Sequence, residues 1–190
     1  MNRLWITGYR SYELGIFNDK DIKADVIKWA LKQELSLAIE NGTNWIISGG
    51  QLGIEQWSLE VANELRQEYT GEFKTALMTP FSNFGNQWNE INQEKLRNLK
   101  NKVDFFGEVS QRPYENPQQL RNYQDFMLSH TDQSILVYDL EHTGKSQYDY
   151  DAIQNFSKAH SYIYKLINFD DLQEFAIEYQ ESLNNGLNFE

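Results

Sequence analysis

The feature that most constrains this chain is alternation: short apolar runs, each followed by a stretch with helical spacing, recur along its whole length. Residues 3–9 (RLWITGY) form the first run. From Asp21 to about Glu40, the residues Ile22, Val26, Trp29, Ala30, Leu35, Leu37, Ala38 and Ile39 trace an approximate helical stripe that stops at Asn41-Gly42. The pattern repeats as strand 44–48 and helix 53–69, then strand 74–79 and a helix near 90–101. Strand 103–109 is followed by a helix from Pro117 to about Ser129, and strand 133–139 by helix 149–160. A sixth run, 162–169, precedes Asp170, which is expected to cap a last helix.

Such alternation predicts an α/β fold: a Rossmann-like, doubly wound, mostly parallel sheet of about six strands, with right-handed crossovers and helices on both faces. With 190 residues and no internal repeat, one domain spanning 1–190 is expected. Sheets of this kind hold ligands at the carboxyl ends of their strands, near the point where strand order reverses. The segments to search are therefore 8–20, 48–55, 79–89, 109–117 and 138–149.

The second of these reads Ser48-Gly49-Gly50-Gln51-Leu52-Gly53-Ile54-Glu55. Strand, glycine-rich turn and helix start are the setting in which exposed backbone N–H groups bind anions. Gly49 and Gly50 allow a ligand close to the backbone, and Gly53 leaves the helix start uncovered. A turn tightened for packing alone would carry the same letters, and this is not the G-x-G-x-x-G dinucleotide fingerprint. Glu55 in the first helical turn suits the macrodipole. It would also repel a phosphate held there, so it is expected to take sugar hydroxyls or to act as an acid or base at a glycosidic carbon.

The other loops add partners. Thr7 and Gly8 close the first strand, Arg10 offers a cationic fork, and Tyr9 and Tyr12 offer rings for base stacking. Thr79, Pro80, Phe81, Phe84 and Trp88 follow the third strand, where aromatics can sandwich a purine. Arg112 and Tyr114 follow the fourth. All of these could equally pack on their own loops. Gly144-Lys145-Ser146 resembles the end of a Walker A loop, but its first glycine would be position 139, which is Asp139. That loop is expected to be a mobile cover over the pocket. No serine-hydrolase elbow is present, and the histidines lack metal-ligand spacing, so no metal is expected.

Charge and composition exclude several classes. The formal net charge is −11, and from Asp139 onward ten acids face three bases. That balance argues against nucleic-acid binding. No apolar run approaches the ~20 residues that span a bilayer, and the start lacks a signal-peptide core. Without cysteines there are no disulfides or thiolate sites. A soluble, cytoplasmic protein with no membrane contact is expected.

The stretches ITGYRSYELGIF, WIISGGQLGIEQW, TPFSNFGNQW and RPYENPQQLRNYQDFM, in this order over roughly residues 4–140, resemble the YpsA family of uncharacterised bacterial proteins. That family lies in the SLOG superfamily, named for the Smf/DprA and LOG proteins. The resemblance implies a Rossmann-like fold and a nucleotide-related ligand, with Ser48, Gly49, Gly50, Gly53 and Glu55 matching the superfamily's glycine motif. It also implies an association with bacterial cell division and no established reaction. LOG enzymes carry a second motif, P-G-G-x-G-T-x-x-E, whose counterpart here, VYDLEHTGKSQYDYDA, lacks the paired glycines.

The leading expectation is a regulatory binding module for a nucleotide or ADP-ribose-like ligand, with a protein partner and with homo-oligomers left open. No cofactor is certain. One alternative is a nucleotide N-glycosidase or phosphoribohydrolase-like hydrolase using Glu55; a second is an interaction protein with a vestigial pocket.

Overall fold

In a computed structural model, residues 1–18 and 20–187 are described; Asp19, within the first loop, and residues 188–190 lie outside them. The strands are β1 (Arg3–Gly8), β2 (Trp45–Ser48), β3 (Lys74–Phe81), β4 (Phe105–Ser110), β5 (Gln133–Val137) and β6 (Ile163–Ile167). The helices are α1 (Ile22–Glu40), α2 (Ile54–Leu65), α3 (Glu90–Lys102), α4 (Gln118–His130), α5 (Gln147–Ala159) and α6 (Phe169–Leu187). A single 3-10 turn, Ser11–Leu14, interrupts the loop after β1.

The six strands form one sheet in the order β4-β3-β2-β1-β5-β6, every neighbour parallel. Order runs outward from β1 in both directions, so the reversal falls between β1 and β5, where Gly8 pairs with Val137. The mostly parallel sheet expected from the sequence is entirely parallel. Helices α1, α2, α3 and α6 pack with one another along one face, and α4 packs with α5 on the other. Leu4, Trp5 and Ile6 are fully buried because β1 is covered on both faces, which explains a run with no polar alternation. They join Leu31, Leu35, Ile46, Ile54, Met127 and Val137 in the main core, each large side chain contributing about 1.5–3 kcal/mol. A smaller cluster of Leu59, Leu77, Phe84, Leu96 and Leu99 seals the β3–α3 side.

Two local expectations need correction. The stripe on α1 is rotated: Ala24, Ile27, Ala30, Leu31, Leu35 and Ile39 are buried, whereas Ile22 and Leu37 are more than half exposed. Helix α1 packs on both α2 and α6, so its buried face is wide and includes Glu34, paired with Lys165. The last helix is capped by Asn168, not Asp170. The Asn168 side chain accepts from the Asp171 amide at 2.8 Å, and the Asp171 carboxylate accepts from the Asn168 amide at 2.8 Å. This reciprocal arrangement fixes the start two residues earlier.

Candidate functional site

At the carboxyl end of β1 the Thr7 hydroxyl is fully buried and lies 3.0 Å from Glu55 Oε1 and 2.9 Å from Asp149 Oδ2. Strand β1 supplies the threonine, the first turn of α2 the glutamate, and the first turn of α5 the aspartate. A hydroxyl has one hydrogen to donate, so one of these two contacts is made by a protonated carboxyl donating back to Thr7. The backbone N–H of Gln51 donates to Glu55 Oε2 at 2.8 Å, and Gln124 Nε2 donates to Asp149 Oδ1 at 2.7 Å. Burial, with the neighbouring Asp149 carboxylate, pushes the Glu55 carboxyl up to about 7 against the pull of Arg10, Gln51 and Thr7. Burial also raises Asp149, opposed by Gln124, Arg10 and Thr7.

Above this pair opens a cavity of about 550 Å³. Its walls include Arg10 after β1, Pro80 near the end of β3, Phe84 after it, and Lys145, Tyr148 and Asp149 from the entry to α5. Helix α4 contributes Leu120, Arg121, Tyr123 and Gln124 with helical spacing, so one face of it forms a side of the cleft. Among the described residues no ion pair takes up Arg10, Arg121 or Lys145, although Arg10 lies close enough to favour the charged forms of Glu55 and Asp149. Glu13 holds two of these cations in place through their backbones, accepting from Arg10 N at 2.8 Å and from Lys145 N at 2.7 Å. The chain as a whole is strongly acidic, yet the cleft mouth is locally positive.

The glycine corner is arranged differently from the sequence expectation. A methyl group on Gly49 would overlap the Glu55 carboxylate and the Tyr123 hydroxyl. At Gly50 it would press on Leu96, Phe84 and Thr79. At Gly53, whose φ is +106°, it would lie within 3 Å of the backbone of Tyr9, Arg10 and Ser11. The close approach these glycines permit is therefore to the protein's own atoms. The amide of Gln51 is taken by Glu55, that of Ile54 by Tyr9 O at 3.2 Å, and that of Gln56 by Gln51 O at 3.2 Å. Gln56 Nε2 occupies Gly50 O at 2.9 Å. Glu55 itself caps the turn, and the positive charge nearest the cavity stands on Arg10, Arg121 and Lys145.

Other expected site residues divide clearly. Arg10, Gln51, Glu55 and Pro80 line the cavity, and Thr7 and Gly49 touch its floor. Gly8 packs between Val137 O and Ile54, and Ser48 Oγ donates to Ile6 O, so both are held inside the sheet. Tyr9 is not a stacking platform. It is 3% exposed between Tyr138 and Phe169, and its hydroxyl accepts from the Asp139 amide at 2.9 Å and reaches the His142 carbonyl. With Glu13 it ties the 139–145 loop to the end of β1. Phe81, Phe84, Trp88 and Tyr114 pack on one another in edge-to-face and tilted contacts, so these rings take one another as partners where a purine sandwich is expected. Thr79 is buried beside Gly50, and Arg112 is exposed outside the cavity lining.

Sequence reasoning missed Asp149, Tyr123, Gln124, Arg121 and Lys145 as site residues. Lys145 was weighed only as part of a phosphate loop. Asp149 sits in a first helical turn, where an acid already has a sufficient explanation. The α4 face at 117, 120, 121 and 124 was the available signal, because a helix after β4 must cross the reversal point to reach β5.

Comparison with known proteins places this geometry among others. The YpsA family model, described as the YspA SLOG family, matches residues 4–172. A UPF0398 protein of Lactiplantibacillus plantarum is 57% identical over 190 residues, covering 100% of both chains. Similar proteins of the same designation occur in Pediococcus pentosaceus, at 58% over 95% of this chain and 98% of the other, and in Levilactobacillus brevis, at 55% over 100% of both. Among the described residues no helix is long and apolar enough to cross a membrane.

Proposed function

The chain belongs to the YpsA family of SLOG proteins, and we propose that it is a binding module for a nucleotide or ADP-ribose-like ligand, read out by a protein partner. One observation carries this reading: a cleft at the strand-order reversal with a cationic mouth of Arg10, Arg121 and Lys145 above a floor of buried carboxylates. Phosphates suit the mouth, where the guanidinium forks of the arginines match their oxygens. The sugar suits the floor, since carboxylates accept hydroxyl hydrogens and reject phosphate. Leu120 and Tyr148 are exposed at the rim, 41% and 72%, and give the base an apolar surface. A partner reading the filled cleft would meet the same rim. A place in cell division follows from the family resemblance alone.

The test is thermal shift and calorimetry with AMP, ADP, NAD and ADP-ribose. A ligand at a hundred times its Kd is expected to add about 2.7 kcal/mol, which in a chain of this size raises Tm by roughly 5–10 °C. Arg10→Ala and Arg121→Ala are each expected to weaken binding about tenfold, and added salt to weaken it further. Absence of any shift with all four compounds would defeat the reading.

A second reading is favoured by the carboxyl pair itself. Glu55 near 7 beside Asp149 is matched to proton transfer at neutral pH, so the ligand's N-glycosidic bond lies within its chemistry. Incubation with nucleoside monophosphates and NAD, followed by product analysis, decides it. Turnover lost in Glu55→Gln would establish an enzyme; intact ligands after prolonged incubation would leave the binder.

A further inference from the structure

The floor of the cleft carries more hydrogen-bonding capacity than the protein uses. Each of the four carboxyl oxygens of Glu55 and Asp149 makes one hydrogen bond to the protein among the described residues: with Thr7 and Gln51 on Glu55, with Thr7 and Gln124 on Asp149. A carboxylate oxygen has room for two. The proton shared through Thr7 is spent on that contact, so what the floor still offers a ligand is acceptors. A phosphate oxygen, which only accepts and carries charge, is a poor match for that; an alcohol, which also donates, is a good one.

Tyr123 is an independent sign at the same place. Its side chain is 7% exposed and lines the cavity, and its hydroxyl has no hydrogen-bond partner among the described residues. That hydroxyl and Glu55 Oε2 converge on Gly49, both overlapping the point where a β-carbon would stand. A buried hydroxyl without a partner is uncommon and calls for an explanation at a site. An oxygen seated on Glu55 would supply the missing acceptor. Two acceptors gathered on one threonine, with a waiting donor beside them, fit two hydroxyls on adjacent carbons of one sugar ring.

We infer that Thr7, Glu55, Asp149 and Tyr123 form a subsite that reads a vicinal diol, making the cleft selective for ribose-bearing ligands over their 2′-deoxy counterparts. The inference rests on the nucleotide reading above and adds to it the sugar's identity and orientation, diol inward and phosphate at the Arg10 mouth. Removing one hydroxyl leaves a buried donor and a carboxylate lone pair facing the ligand with nothing to bond, which is how sites built around a hydroxyl exclude its absence.

Calorimetry on the full chain at fixed salt tests it with AMP against 2′-deoxy-AMP and with ribose 5-phosphate against 2-deoxyribose 5-phosphate. The ribo compound of each pair is expected to bind at least about tenfold more tightly, and Tyr123→Phe to shrink that ratio several-fold. Equal affinities within a factor of about two, with binding retained, overturn the subsite and leave the nucleotide reading standing. A wild-type ratio preserved in Tyr123→Phe overturns the role given to that hydroxyl. Binding by none of the four probes overturns both readings together. The wild-type comparison decides the matter even if the variant folds poorly.

Discussion

Two corners of this molecule stand at the same end of the sheet and do opposite things. Over β2, the Ser48–Glu55 turn is closed on itself: its glycines admit backbone and side chains, and its amides at Gln51, Ile54 and Gln56 have internal acceptors. Between β1 and β5, the cleft holds two carboxyls that meet on one threonine hydroxyl and, among the described residues, a tyrosine hydroxyl without a hydrogen-bond partner and cations outside any ion pair. The glycine-rich turn, which a reader of sequence associates with ligands, is scaffold. Its product is the placement of Glu55, which leaves the closed corner and enters the open one. Glycine richness thus reports close approach and does not say by what.

The sharpest way to break this contrast is Gly53→Ala. A side chain there meets three backbone segments at a positive φ, so about 4 kcal/mol of stability should be lost, lowering Tm by roughly 10 °C in thermal unfolding. A variant that melted like wild type would show the corner to be loose and open to a ligand after all.

Next comes Glu55→Gln, which acts on the open corner. The folded carboxyl titrates at about 7 and an ordinary glutamate at 4.5, so between these values the folded state holds a proton the unfolded state has released. Stability is therefore full below pH 4.5, falls as pH rises through the window and has lost about 3 kcal/mol above pH 7. Asp149, raised as well, adds in the same direction. Glu55→Gln should flatten this slope, melt well above wild type at pH 8 and match it near pH 4. A wild-type profile flat from pH 4.5 to 8 would refute the strained pair.

Tyr9→Phe should cost less, about 1–2 kcal/mol, because it frees the Asp139 amide from its acceptor and loosens the loop that carries Lys145. Chemical denaturation measures the loss, and faster proteolysis within 139–145 would accompany it. Tyr123→Phe is the smallest effect. Deleting a hydroxyl that bonds to nothing should leave stability unchanged or raise it by up to about 1 kcal/mol. A clear destabilisation would mean that the hydroxyl is already bonded in the free protein.

The architecture was legible because its signals are local. An apolar run such as Leu4-Trp5-Ile6, buried on both faces, can be read without knowing its neighbours, and Asn41-Gly42 ends α1 as written. Glu55 and Arg10 were legible for the same reason, each standing at a strand exit. Asp149, Tyr123 and Arg121 were not, because what makes them site residues is a meeting across the sheet. Asp149 reaches Thr7 from 142 positions away. Tyr9 misled for the converse reason: an aromatic after a strand looks exposed until the loop that buries it, 130 residues later, is in place.

The strand order has a consequence for how the polypeptide is made. The first 110 residues supply β1 to β4, a complete side of the sheet, while the outer flank of β1 waits for β5. A nascent chain that has emerged only to about residue 130 presents Leu4, Ile6 and their neighbours along an unpaired edge, a surface that invites chaperones and self-association. In that interval Glu55 has no aspartate beside it. Arrival of the last third of the sequence thus covers the vulnerable edge and brings Asp149 to Glu55 in one event.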